Sequence, residues 1–100
     1  MADRITVEID QELEDLIPTY LGNVRKNIEK VREHMTASDF ESIRFLGHNM
    51  KGSGGGYGFD FISVVGKDIK NAARASDPEQ IKASIAALED YLARIDIHFV

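Results

Sequence analysis

His48 is the residue of this chain whose surroundings best suit chemistry. It stands in Arg44-Phe45-Leu46-Gly47-His48-Asn49-Met50-Lys51-Gly52-Ser53. At helical spacing Arg44 falls at i−4, Phe45 at i−3, Lys51 at i+3 and Gly52 at i+4, all on the face that carries the imidazole. A neutral imidazole is a nucleophile near physiological pH, because histidine titrates near roughly 6.5. Arg44 and Lys51 place positive charge on either side of it, which suits an arriving and departing phosphoryl group. Helical side chains lean toward the N-terminus, so residue 52 would ordinarily lie over the ring, and a glycine clears that space. A glycine inside a helix costs stability and needs a reason. The bland alternative is a solvated face: a lone histidine between two cations is common on protein surfaces. Phe45 reads equally as a stray surface aromatic or as a docking residue.

The elements that must position His48 are helical almost throughout. An acidic segment, Val7 to Ile17, ends at Pro18 and reads as a short leading helix. A second helix from about Pro18 to Met35 carries Tyr20, Leu21, Val24, Ile28, Val31 and Met35 on one stripe. Thr36-Ala37-Ser38 breaks it. Ser38 followed by Glu41 reads as a capping box that starts the histidine helix at Asp39. In that helix Phe40, Ile43, Leu46, Gly47 and Met50 face inward, and His48 points roughly 150° away from the centre of the stripe. The run Gly52-Ser53-Gly54-Gly55-Gly56-Tyr57-Gly58 ends the helix between Gly54 and Gly58, since each interior glycine costs about 1 kcal/mol. A further helix spans about Phe59 to Ala75, with Phe61, Ile62, Val65, Ile69, Ala72 and Ala73 inward. Asp77-Pro78 restarts the chain as N-cap and first-turn proline, and Ile81, Ile85, Leu88, Leu92 and Ile95 form the last stripe. No window alternates as a strand would. The expectation is an all-α fold: an antiparallel up-down-up-down four-helix bundle over about 18–96 with a short extra N-terminal helix over about 7–17, in one domain of 1–100.

The segment His48-Asn49-Met50-Lys51-Gly52-Ser53-Gly54-Gly55-Gly56-Tyr57-Gly58 resembles the signature of histidine-containing phosphotransfer (HPt) domains: His, any residue, apolar, Lys, Gly, Ser, small, two variable positions, apolar, Gly. Ile17-Pro18-Thr19-Tyr20-Leu21 resembles that family's entry into its first bundle helix, and Ser38-Asp39-Phe40 the start of its histidine helix. The resemblance covers about residues 7–95. It implies that His48 accepts a phosphoryl group on its outer ring nitrogen. Lys51, with Arg44 and Ser53, would stabilise the phosphoryl group, Ser53 by supporting the helix or the histidine environment. Phe45, Gly52 and Gly55 would form the docking ground for a receiver domain, and Gly58 would permit the turn between helices. Three departures are visible: Met50 stands where leucine is commoner, Lys70 where an acidic residue is common, and Gly54 to Gly56 is more glycine-rich than usual. The implied partners are a response-regulator receiver domain, a hybrid sensor histidine kinase, or both. No cofactor is expected on this chain, and Mg2+ is expected only in the receiver.

Composition narrows the competing readings. A net charge of −5 disfavours nucleic acid and anionic lipid. There is no cysteine, so disulfides, thiolate metal sites and cysteine nucleophiles are out. No apolar run approaches a membrane span, and no signal peptide is evident. The opening Met1-Ala2-Asp3-Arg4 reads as a native cytoplasmic N-terminus and favours a free-standing protein, expected to be monomeric. His34, His48 and His98 lack ligand spacing, so no metal site is expected. Lys51-Gly52-Ser53 is not the order a P-loop needs, and a helix rather than a strand precedes the glycines, against a dinucleotide loop. No kinase motif is present, so the chain reads as a phosphocarrier and not an enzyme. The alternative from another class is a helical adaptor without chemistry.

Overall fold

The computed structural model describes residues 3–100, so the first two residues of the N-terminal reading lie outside the described residues. The element order is β1 (Ile5–Ile9), a 3-10 helix (Gln11–Leu16), α1 (Ile17–Thr36), α2 (Phe40–Gly54), a 3-10 turn (Gly55–Tyr57), α3 (Asp60–Arg74), α4 (Pro78–Arg94) and β2 (Ile95–Phe99). The four long helices fall where the apolar stripes place them. Ile28, Val31, Ile43, Met50, Phe59, Ile62, Ile69, Ile81 and Leu88 are buried in one shared core.

The four helices stand as expected, but the chain ends add two short strands and replace the expected N-terminal helix. Residues 7–17 are not one helix: Val7 to Ile9 belong to β1, and the 3-10 helix begins only at Gln11. Asp10 separates the two, its carboxylate accepting the Glu12 amide at 2.9 Å. β1 pairs in parallel with β2, Ile5 opposite Ile95 and Ile9 opposite Phe99. Val100 N donates to Ile9 O and Gln11 N donates to Val100 O, both at 2.9 Å, which extends the ladder. Both strands alternate over five residues. Ile5, Val7, Ile95 and Ile97 lean on the core while Thr6, Glu8, Asp96 and His98 face outward. Neither run is long enough to stand out, and each pairs only with the opposite end of the chain. A two-stranded sheet is marginal without packing beneath it, and here the helices supply that packing.

The connectors between helices repeat a device that the capping-box reading misses. Ser38 is not the N-cap of α2. It sits at φ 52°, donating its amide to Met35 O at 3.1 Å, while Asp39 N reaches back to His34 O at 2.9 Å. Asp39 is the cap: its Oδ1 accepts Ser42 N at 3.1 Å and its Oδ2 accepts the Ser42 hydroxyl at 2.6 Å. The α3–α4 connector does the same. Ser76 sits at φ 50° and donates to Ala73 O, Asp77 N donates to Ala72 O, and Asp77 Oδ1 accepts Gln80 N at 3.1 Å. Ala37-Ser38-Asp39 and Ala75-Ser76-Asp77 are thus one tripeptide used twice: a left-handed helix stop followed at once by an N-cap.

α2 and α3 pack backbone against backbone. A Cβ on Gly47 would lie 2.7 Å from Lys70 N and 2.8 Å from Gly66 O, and a Cβ on Gly66 would collide with Lys51 N and lie 2.7 Å from Gly47 O. Further along, the Ser63 hydroxyl donates to Lys51 O and accepts from Gly55 N, both at 2.8 Å. The facing pairs step down α3 as they step up α2. Backbone rests on backbone here, and only glycine permits it. Gly66→Ala should therefore cost about 1–3 kcal/mol by overpacking and push α3 away from α2. Chemical denaturation measures the loss, and unchanged stability would mean the two helices separate without penalty.

Candidate functional site

α2 owes its position to residues on two sides. Ile43 and Met50 anchor it in the core, and Gly47 seats it on α3. That orientation leaves His48 exposed, with no side-chain hydrogen bond or ion pair among the described residues. Lys51 and Gly52 are exposed beside it, and Phe45 one turn earlier is 60% exposed. A Cβ built on Gly52 meets nothing within 4 Å, so the space around that position, one turn after His48, is open. Gly55 is exposed as well, flanked by Asp60 and the Ser63 hydroxyl. The fold therefore displays His48, Lys51, Gly52, Phe45 and Gly55 together on one exposed face of the α2 region, as their spacing in the sequence predicts.

Arg44 and Ser53 are engaged elsewhere. The Arg44 guanidinium grips Glu41 with two contacts, Nη2 to Oε1 and Nε to Oε2, the latter at 3.2 Å. The pairing holds the Glu41 carboxyl below the usual carboxylate range. An i,i+3 partner one turn back takes the cation that spacing alone places beside the imidazole. Ser53 faces α1: its hydroxyl shares a hydrogen bond of 3.1 Å with the Tyr20 phenol. Tyr20 stacks on Tyr57 at 4.2 Å and on Phe59 at 5.9 Å between ring centroids. Burial pushes the Tyr20 phenol up, and the Ser53 bond partly offsets this. Ser53 thus ties the end of α2 to α1.

α2 ends at Gly54, within the expected span, and Gly58 closes the 3-10 turn that follows it. Its φ is 92°, Gly58 N donates to Gly55 O at 3.1 Å and Phe59 N donates to Gly54 O at 2.8 Å. The Ile9 side chain from β1 also fills the space where a Gly58 Cβ would sit, at 2.6 Å. Phe61, placed inward by periodicity, is instead 37% exposed and lies against Tyr91 at 4.7 Å between ring centroids.

Lys70, in the sequence only a departure from a commonly acidic position, joins this region. Its backbone on α3 lies against Gly47, next to His48. Its ammonium is pushed below the usual lysine range, first by the charge of Lys51, then by desolvation and by Arg74 and Lys67. The sequence carries a signal for this: Lys67, Lys70 and Arg74 recur at i, i+3 and i+7, one stripe of one helix. Among the described residues no group of three or more His, Asp or Glu side chains is placed to hold a metal ion, and no helix is long and apolar enough to cross a membrane.

Residues 8–98 match the family model described as Hpt domain. The chain belongs to the Hpt domain family. No curated protein and no solved structure matches it. Hpt domains are phosphotransfer modules of two-component signalling, and as a class they are phosphocarriers without kinase activity of their own.

If Ser53 serves α1 rather than the imidazole, Ser53→Ala should cost about 0.5–1.5 kcal/mol of stability, the worth of one such hydrogen bond. It should leave phosphoryl labelling of the protein at the wild-type level. Denaturation and acid-labile radiolabel, measured on the same preparation, separate the two roles.

Proposed function

We propose that this Hpt domain is a phosphocarrier that relays a phosphoryl group through His48, between receiver-domain aspartates or from a sensor kinase to a receiver. The observation that supports this most is the exposed His48 ring with open space above Gly52 and Lys51 one turn away. The outer nitrogen, Nε2, attacks the phosphorus of an aspartyl phosphate. The N–P bond forms, the P–O bond to the carboxylate breaks, and the aspartate leaves with the electron pair. The reverse step passes the group to the next aspartate. Lys51 offsets the oxygens' charge throughout, and Mg2+ belongs to the receiver. The chain acts as a cytoplasmic monomer on an up-down-up-down bundle and supplies position and a competent imidazole.

Docking follows from the same face. A receiver must bring its aspartate to His48, so the contact surrounds that residue. Phe45 offers an apolar anchor, and Gly52 and Gly55 offer low ground on which a partner can approach. A single exposed aromatic rimmed by polar groups is the usual centre of a small transient interface.

The deciding experiment is labelling by a phosphorylated receiver. The label should be acid-labile and base-stable, as a phosphoramidate is, and absent from His48→Gln. Label that survives acid or persists in that variant overturns the assignment, and full biological function of His48→Gln would favour an adaptor instead.

Gly52→Leu tests the clearance. Helix propensity improves by up to about 1 kcal/mol and the new side chain meets nothing in the fold, yet it leans over His48. Thermal stability should hold or rise while transfer from a receiver falls steeply. Wild-type transfer rates in this variant would show that the space over the ring is not needed.

A further inference from the structure

The ion pairs of the described residues engage Arg32, Arg44, Lys82 and Arg94 with carboxylates. Lys51, Lys67, Lys70 and Arg74 appear in none of them. These four lie together. On α2 the contact line with α3 runs through Gly47; at about 100° per residue Lys51 comes next around the helix, and His48 lies beyond it. On α3 the contact line runs through Gly66, with Lys70 next and Lys67 and Arg74 beyond. The facing pairs run in opposite order along the two helices, so residues past the contact line on both turn to the same side. That side is the one that carries His48.

We propose that Lys70 is a second cation of the His48 site, and that Lys51 from α2 and Lys70 from α3 together form a seat for a tetrahedral phosphoryl dianion. The inference rests on His48 as the phosphoryl carrier for its biological meaning, but the seat itself is a property of the two helices. Lys51 and Lys70 are spaced by backbone contact at Gly47 and Gly66, not by flexible packing, so their stems start from fixed points. The acidic groups of the two helices are occupied or turned away. Glu41 on α2 is bound to Arg44, and Asp60 on α3 lies beside Gly55, about two turns from Lys67. Asp68 lies roughly 160° around α3 from Lys70. Two ammonium groups facing one another without a carboxylate are mutually destabilised, and the largest influence on Lys70 is the charge of Lys51. A dianion between them offsets that repulsion and favours the charged form of Lys70. Lys67 and Arg74 then form an outer rim that attracts anions without touching the seated group.

The seat is tested with inorganic phosphate as the probe, following the lysine Nζ resonances of the whole protein by NMR. Lys51 and Lys70 should shift together and saturate, and Lys70→Gln should weaken phosphate binding about fivefold, the scale of one exposed ion contact. Lys70→Arg should retain it, and Lys67→Gln should weaken it less. Phosphate that moves Lys51 alone, or binds Lys70→Gln as it binds the wild type, overturns the seat. Labelling by a phosphorylated receiver is run beside it. A wild-type protein that takes no label while phosphate still moves both lysines rejects the carrier reading and keeps the seat. A label on His48 with no effect of phosphate on Lys70 keeps the carrier and rejects the seat.

Discussion

Gly47 and Gly66 meet backbone to backbone, and the geometry of the site is fixed there. A helix pair that touches through side chains can slide or roll by the length of a rotamer. A pair that touches through main-chain atoms has no such slack, because its contact surface is covalently part of each helix axis. Gly47 precedes His48 directly, and the atoms facing it belong to Lys70 and Gly66. The rotation of α2 that turns His48 to solvent is therefore set one residue away from the ring. The core residues Ile43 and Met50 pull the opposite flank of the helix inward and cannot change that rotation without breaking the contact.

The same constraint explains how a helix with so many glycines stays folded. Glycines 47, 52 and 54 within fifteen residues would leave an isolated helix largely unformed. Here tertiary contact replaces propensity. Gly47 is pinned by α3, Ser53 is tied to Tyr20, and the Ser63 hydroxyl bridges Lys51 O and Gly55 N across the final turn. Gly58 then closes the 3-10 turn after the helix in a left-handed conformation whose open side is filled by Ile9 of β1. The strand pair at the chain ends, far from the imidazole in sequence, thus helps to fix the turn that follows the histidine helix.

Much of this is legible in the sequence. The four helices follow from apolar stripes of helical period, because each stripe is long enough to average out exceptions. The exposed face with Phe45, His48, Lys51 and Gly52 follows from the same period. What escapes depends on partners outside the local window. The strands pair residues about ninety positions apart, and five alternating residues carry little signal alone. Ser38 looks like an N-cap by composition, yet its backbone ends α1 in a left-handed turn, and the cap passes to Asp39. The recurrence of Ala-Ser-Asp before both α2 and α4 is the available clue. Spacing from His48 alone assigns Arg44 to the site and does not show that Glu41, three residues before Arg44, also pairs with it.

That pairing bears on how an acidic protein presents a site to anions. The net charge of −5 sets up a field that repels them at long range. Within about a Debye length, roughly 8 Å at physiological salt, local charges decide instead. On α2 the pairing of Arg44 with Glu41 cancels one cation near the site. On α3 no such pairing reaches Lys67, Lys70 or Arg74 among the described residues. Lys51 on α2 and Lys67, Lys70 and Arg74 on α3 are left without carboxylate partners among the described residues, so both helices supply cations to this region. Under the proposed role, a partner docking at Phe45 and the glycines of α2 would meet Lys51 on that helix and Lys67, Lys70 and Arg74 on α3, and the Gly47–Gly66 contact sets how the two helices present them together.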